Sequence, residues 1–266
     1  MIHLREVALR SGTRRAGFPF NVPAVETLPP LTFESPVTFL VGENGSGKST
    51  VLEALAIKTG LPAVASAAPA QDPTLTAQGE LAEALRLSWN RRTHRGFFLR
   101  AEDFFGFTKE LSRSREVFQR ELAEIDEAYR DRSPLAQALA RGPIAGSLGD
   151  MARRYGDNLD ANSHGQSFFQ LFRSRFVPGG LYLLDEPEAP LSPQSQLGLI
   201  AMLKEMLAAD AQFIIATHSP ILLAFPGAQI LTFDDPPVHG VGFDDLEHVR
   251  LTREFLQDPE RFLRRL

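Results

Sequence analysis

Gly42-Glu43-Asn44-Gly45-Ser46-Gly47-Lys48-Ser49 is the stretch on which the reading of the whole chain turns. It fits G-x-x-x-x-G-K-[ST] without a mismatch. Glycines at these places let the backbone turn so that successive N–H groups point inward at phosphate oxygens. Lys48 adds a point charge for the outer phosphates, and the Ser49 hydroxyl is a ligand for Mg²⁺. The flanks agree with this. Val37 to Val41 is a short apolar run of the kind that forms a buried parallel strand. Ser49 to Lys58 then repeats Leu52, Leu55 and Ala56 at helical spacing. Strand, glycine-rich loop and helix, in that order, set the positive end of the helix at a phosphate.

Two further strand ends carry chemistry. Leu181-Tyr182-Leu183-Leu184 is apolar and runs into Asp185-Glu186. Asp185, at the tip, is placed to hold Mg²⁺, directly or through water. Glu186 points elsewhere and is placed to orient or deprotonate an attacking water. A lone strand ending in Asp-Glu is commonly just a solvated strand end; paired with the phosphate loop it reads as functional. The run Phe213 to Ala216 precedes Thr217-His218-Ser219-Pro220. A histidine at the C-terminal end of such a strand faces the ligand crevice of an open α/β sheet. There it can hydrogen-bond a γ-phosphate oxygen or the water.

The remaining chain reads as a scaffold for this core. Ile2 to Leu9 alternates as an opening strand, and the proline-rich stretch from Phe18 to Pro36 reads as extended chain and turns. Ala63 to Ala77 reads as a flexible loop, Phe97 to Leu99 as a strand, Lys109 to Arg130 as a charged helix, and Gly142 to Asn162 as a glycine-bearing loop. Pro193 to Ala208 is helical. Helices and strands alternate at both ends around a mostly helical middle, which predicts a parallel α/β core with N-terminal β elements and a helical insertion. We expect one domain over 1–266, with loop and helical insertion over 61–162.

Composition bounds the function. The chain has no cysteine, which removes disulfides and thiolate metal sites and fits a cytoplasmic protein. No window reaches about 18 consecutive apolar residues, so no membrane insertion is expected. A formal net charge of −5 gives no general pull toward nucleic acid. Arg91, Arg92, His94 and Arg95 cluster locally, either as a solvated surface or as a holder of phosphates.

Taken together, these motifs resemble the ABC ATPase superfamily of P-loop NTPases. Gly42 to Thr50 looks like its Walker A loop, Leu181 to Glu186 like its Walker B strand, and His218 like its switch histidine. Asn162-Ser163-His164-Gly165-Gln166-Ser167 stands where the family keeps a Leu-Ser-Gly-Gly-Gln signature, ahead of a short helix from Ser167 to Phe176. Ser163, Gly165 and Gln166 match, whereas Asn162 and His164 do not. Ser192 stands where the D-loop Asp belongs. No glutamine follows the strand at Phe97, and Glu102 is the stand-in for the Q-loop. Glu-Asn-Gly-Ser-Gly-Lys-Ser-Thr and Asp-Glu-Pro-Glu-x-x-Leu-Ser-Pro are similar to the stand-alone, SMC- and OLD-like predicted ATPases of the AAA group. From Lys48 to Ser163 the distance is 163 − 48 = 115 residues, too short for a long coiled-coil arm.

The resemblance implies ATP and Mg²⁺ as ligands, and Lys48, Glu186 and His218 as catalytic residues. It implies nucleotide contacts from Gly42, Glu43, Asn44, Gly45, Ser46, Gly47, Lys48, Ser49, Thr50, Ser163 and Gly165, and metal contacts from Ser49 and Asp185. Phe18, Phe20 or Phe33 would stack on adenine. It further implies an ATP-dependent head-to-tail homodimer acting on a protein effector, with nucleic acid a candidate partner in DNA maintenance or defence. An ABC transporter subunit is the alternative, against which the missing glutamine argues mildly. A sensor without turnover is a third, against which the retained Asp185 and Glu186 argue.

Overall fold

A computed structural model describes residues 1–12, 16–64, 69, 72–155 and 164–264 of the chain. The described residues divide into two compact units, one formed by Met1–Ala101 with Val177–Leu266, the other by Glu102–Phe176.

The first unit holds two sheets. In the smaller, β1 (Leu4–Leu9) pairs antiparallel with β2 (Leu31–Thr32) on one side and β4 (Leu85–Trp89) on the other. The larger has the order β5 (Gly96–Arg100), β6 (Leu181–Asp185), β7 (Gln212–Ala216), β3 (Val37–Val41), β8 (Gln229–Thr232) and β9 (His239–Gly240). All its pairings are parallel except the last. Every residue of β3, β6 and β7 is buried, as expected of central strands covered on both faces. These three strands are neighbours with a common direction. Their C-terminal ends therefore bring the phosphate loop, Asp185-Glu186 and Thr217-His218 to one edge of the sheet, although the three segments are far apart in sequence.

Helices of this unit are α1 (Pro23–Glu26), α2 (Lys48–Thr59), α3 (Thr76–Ala84), α7 (Pro193–Ala208), α8 (Pro220–Leu223), α9 (Glu247–Gln257) and α10 (Pro259–Leu263). The end of α2 is set by Gly60, whose φ of +70° lets its N–H reach back to the carbonyls of Ala56 and Ile57. The start of α7 is set by Ser192, whose Oγ accepts from Ser195 N–H, with Pro193 in the first turn. The segment Phe18 to Pro36, expected to be extended, contains one helical turn at α1 because Pro23 fits the first position of a helix without loss.

A glycine sets one strand pairing within the larger sheet, and a glutamine ties the two sheets together. Gly96 has a φ of +116°, and a Cβ there would lie 1.8 Å from the Leu181 carbonyl oxygen, so β5 and β6 approach where only glycine fits. Gln212 is fully buried. Its Oε1 accepts from the N–H of His3 and of Leu4, both at 2.8 Å, and its Nε2 donates to the Leu4 carbonyl at 2.9 Å. The side-chain amide thus completes the backbone pairing of β1, as a strand would.

In the second unit, α4 (Ala101–Ala128, shared at its first residue with the other unit) is followed by α5 (Pro134–Tyr155) and α6 (His164–Arg175). The loop expected from Gly142 is a helix as far as Tyr155, a correction. Three glycines and Pro143 disfavour helix locally. Contact with α6, a start at Ser133 and Pro134, and the Ser147 hydroxyl bonded to the Pro143 carbonyl override that cost. Phe104 and Phe172 pack on Phe168, with ring centroids 5.5 and 5.8 Å away.

Candidate functional site

The phosphate loop is shaped by its glycines and held by one carboxylate. Gly42 and Gly47 take φ values of +148° and +105°. A Cβ on Gly42 would meet Ser46 Oγ at 2.7 Å and Asp234 Oδ1 at 3.0 Å, and one on Gly47 would meet Val22 Cγ1 at 2.8 Å. Glu43 N–H donates to Asp234 Oδ1 at 2.5 Å, which fixes the turn from the end of β8. Gly45 also has positive φ, and Glu43, Asn44 and Gly45 are exposed at the mouth of the loop.

Lys48 is buried and folds back, its Nζ donating to the carbonyls of Gly42 at 2.7 Å and Glu43 at 2.8 Å. Burial lowers its pKa, while the charges of Glu186, Asp185, Asp234 and Glu188 pull it back up. Ser49 Oγ donates to Asp185 Oδ1 at 3.1 Å, so the two expected metal ligands are in contact although β7 lies between the strands β3 and β6 that precede them. Burial pushes the Asp185 carboxyl up to about 7. The Ser49 hydrogen bond opposes this, Glu53 and Glu186 add to it, and Lys48 opposes it. A buried carboxylate with two acidic neighbours is a site that gains from a divalent cation.

Glu186 is half-buried and takes φ +50°, a left-handed value at a non-glycine residue. This turn directs it away from Asp185, and its Oε1 lies 3.8 Å from His218 Nε2. Glu43, Asn44, Glu186 and His218 line a cleft of about 460 Å³. His218 is set by Glu188, whose Oε1 accepts from His218 N–H at 2.8 Å and from Thr217 Oγ1 at 2.7 Å. Ser46 Oγ, Glu188 Oε2 and His218 Nε2 are buried and make no hydrogen bond within the protein. Buried polar atoms of this kind are normally satisfied. With the inward lysine and a loop whose glycines leave no room for a Cβ, these polar atoms are of the kind that could engage a polyphosphate and its cation.

The structure brings Gly42 to Thr50, Asp185, Glu186 and His218 together. Ser163 and Asn162 lie outside the described residues. Gly165 sits in the first turn of α6, in the other unit. Glu102 is exposed in the first turn of α4, and Ser192 caps α7. Of the three aromatic candidates, Phe20 and Phe33 are buried in the core, and Phe18 is 54% exposed.

Four residues escaped the sequence reading. Asp234 follows the largely apolar run Ile230-Leu231-Thr232-Phe233, a signal close to the one that marked Asp185. Glu188 stood inside a recognised segment without a role of its own. Arg100, at the end of β5 and in register with Asp185, lies 3.7 Å from Glu53 and 3.2 Å from Asp72, offsetting the acid near the Ser49–Asp185 contact. His248 on α9 has a buried Nε2 with no hydrogen bond within the protein. Burial lowers its pKa, the His218 and Lys48 charges lower it further, and Asp234 opposes them. Nothing in its local sequence signals that placement.

A family model described as "AAA domain, putative AbiEii toxin, Type IV TA system" matches residues 87–224, and one described as "AAA domain" matches 25–130. A search of curated proteins gave no match. Among solved structures, the chain is similar to a nucleotide-free ATP-binding cassette from an ABC transporter, at 18% identity and TM-score 0.47, with 98% of this chain and 97% of that one covered. It is also similar to the Smc head domain with an extended coiled coil bound to the C-terminal domain of ScpA from Pyrococcus furiosus, at 12% identity and TM-score 0.45, with 96% and 100% covered. The SMC head domain from Thermotoga maritima matches at 16% identity and TM-score 0.43, with 90% and 98% covered.

Proposed function

Since the chain belongs to the AAA-domain family whose model spans residues 87–224, more than half of its 266 residues, we propose that it binds ATP with Mg²⁺ and hydrolyses the γ-phosphate. The observation that carries this reading is the 3.1 Å contact between Ser49 Oγ and Asp185 Oδ1, beside a lysine already turned into the loop. Backbone N–H groups from Gly42 to Ser49 would hold the β- and γ-phosphates, with Lys48 exchanging its two carbonyl partners for phosphate oxygens. Ser49 and Asp185 would hold Mg²⁺, which neutralises charge building on the leaving phosphate. Glu186 takes the proton of the attacking water as oxygen bonds to the γ-phosphorus and the bond to ADP breaks. His218, fixed by Glu188, presents Nε2 to the same space. Phe18 is the exposed aromatic available for the adenine.

The assembled form in this proposal is a homodimer sandwiching two ATP molecules, in which Ser163, Gly165 and the start of α6 meet the γ-phosphate held by the other copy. Closure and opening of that dimer would signal to a protein effector, with DNA maintenance or defence as the setting. The family's description, which names a type IV toxin–antitoxin system, is of a kind with defence. We place this activity in the cytoplasm; among the described residues no helix is long and apolar enough to cross a membrane.

Phosphate release by purified protein tests the reading. Wild type should release phosphate from ATP with Mg²⁺ and not with EDTA, and Glu186→Gln should remove most of it. Release that survives EDTA, or that is equal in the variant, would overturn the proposal.

A further inference from the structure

At the far end of α2 from the phosphate loop lies a second concave site of different character. Twelve helical residues, about 18 Å at 1.5 Å each, separate the two. A cleft of about 300 Å³ is lined there by Arg10, Lys58, Arg86, Arg92, His94 and Trp89. They come from four places: the residue after β1, the last turn of α2, strand β4, and the loop from β4 to β5. Arg86, Trp89, Arg92 and His94 are close in sequence, and the fold brings Arg10 and Lys58 to them. Among the described residues lining the cleft none is acidic, in a chain whose net charge is −5.

We propose that this cleft binds a segment of single-stranded nucleic acid, with phosphates on Arg10, Lys58, Arg86 and Arg92 and a base against Trp89. The site deepens the nucleic-acid part of the proposed function but uses no residue of the ATP site.

Three observations favour this over a solvated surface. Lys58 is half-buried, and both burial and the Arg10 charge lower its pKa, with Glu83 opposing; two cations are held close in a concavity, which an anion would relieve. Three carbonyls in the last turns of α2, which would repel an anion, are engaged within the helix end: Leu55 and Ala56 by Thr59 Oγ1, and Ala56 and Ile57 by Gly60 N–H. The charge exceeds what one phosphate needs and continues outside the cleft through exposed Arg91 and Arg95, which fits a chain of phosphates. Glu6 tempers Arg86, at 3.4 Å. Leu85 and Leu87 give the cleft an apolar side beside the half-exposed indole. A pocket of this size with a ring in its wall takes an unstacked base, not a paired one.

Trp89 is the single tryptophan of the chain, so intrinsic fluorescence reports on this cleft alone. The experiment titrates nucleotide-free protein with oligothymidylate of about twelve nucleotides, a length within the range of single-strand sites. Parallel arms use the thymidine mononucleotide, tripolyphosphate and a duplex of the same length. Oligothymidylate should quench the indole saturably, at least tenfold more tightly than the other three. With four phosphate contacts, log affinity should fall against log salt with a slope of about −3. The double variant Arg10→Glu, Arg92→Glu, checked for an unchanged circular dichroism spectrum, should weaken binding at least tenfold. Lys48→Ala should bind the oligonucleotide as wild type does, which separates this site from the ATP site. Absent quenching, equal affinity for tripolyphosphate, mononucleotide or duplex, or indifference to the charge reversals would each overturn the proposal.

Discussion

Glu186 and His218 face each other across the ends of two neighbouring parallel strands, Oε1 to Nε2 at 3.8 Å. Both are positioned from the backbone. Glu186 holds a left-handed φ of +50° while its N–H donates to the Ala216 carbonyl at 2.9 Å, and His218 N–H is held by Glu188. A non-glycine residue in that region costs about 1–3 kcal/mol, so the surrounding contacts must fix it. The result is a carboxylate aimed along the cleft mouth, apart from the buried Asp185 one residue earlier. Two adjacent acids thereby sit in unlike environments and suit unlike tasks.

Replacing Glu186 with Gln keeps shape and removes the proton acceptor. Turnover should fall about 10²- to 10⁴-fold with ATP affinity retained. Light scattering on a sizing column should then show a dimer with ATP and Mg²⁺ and a monomer without. Persistence of monomer under both conditions would remove the sandwich from the proposal.

Lys48→Ala takes away the ammonium whose charged form Glu186, Asp185, Asp234 and Glu188 favour. The variant should lose ATP affinity by at least about 100-fold in calorimetry, since several charge-assisted hydrogen bonds go with it. Unchanged affinity would place the nucleotide elsewhere.

Asp185 supplies a pH test. Its carboxyl is pushed up from 3.8 to about 7 in the folded protein without metal. Between those values the native state holds a proton that the unfolded chain has released, so stability falls as pH rises, by at most about 1.4 kcal/mol per pH unit. Asp185→Asn should therefore raise the melting temperature in EDTA at pH 8 and change it little at pH 4, while Mg²⁺-dependent turnover is lost. A variant less stable than wild type at pH 8 would contradict the burial argument.

Asp234→Ala removes the acceptor of Glu43 N–H and leaves the loop entrance unpinned. A hydrogen bond to a charged group contributes about 1.5–3 kcal/mol. ATP affinity should weaken roughly 10- to 100-fold, with a smaller effect on turnover at saturating ATP. Equal affinity in both proteins would show that the loop keeps its shape unaided.

Gly96→Ala tests the fold away from the site. Its Cβ would lie 1.8 Å from the Leu181 carbonyl, so β5 must part from β6 or the chain must twist. Destabilisation of about 3 kcal/mol in urea unfolding is expected. A loss under about 1 kcal/mol would mean that the strand edge yields easily.

What could be read before coordinates follows from where each signal is stored. The phosphate loop, the Leu181 strand and the Phe213 strand carry their signals in consecutive residues, and the structure gathers Lys48, Ser49, Asp185, Glu186 and His218 at one sheet edge. The Gly142 stretch misled because glycine and proline speak for the isolated backbone, whereas α5 is held by contact with α6. Strand β4 went unread since it gains its strand character from its partner, β1. Arg100 and His248 matter through neighbours more than 25 residues away, Asp72 and His218 among them, and no local pattern encodes such a meeting. Asp234 is the exception: a largely apolar run ending in a carboxylate was there to be seen.

The Gln212 side chain makes the first strand of the protein answer to β7. It meets the N–H groups of residues 3 and 4 at the start of β7, while His218 stands two residues past the strand's other end. Every residue of the strand between them is buried, so the amino-terminal strand and the histidine segment are moored to opposite ends of one enclosed element.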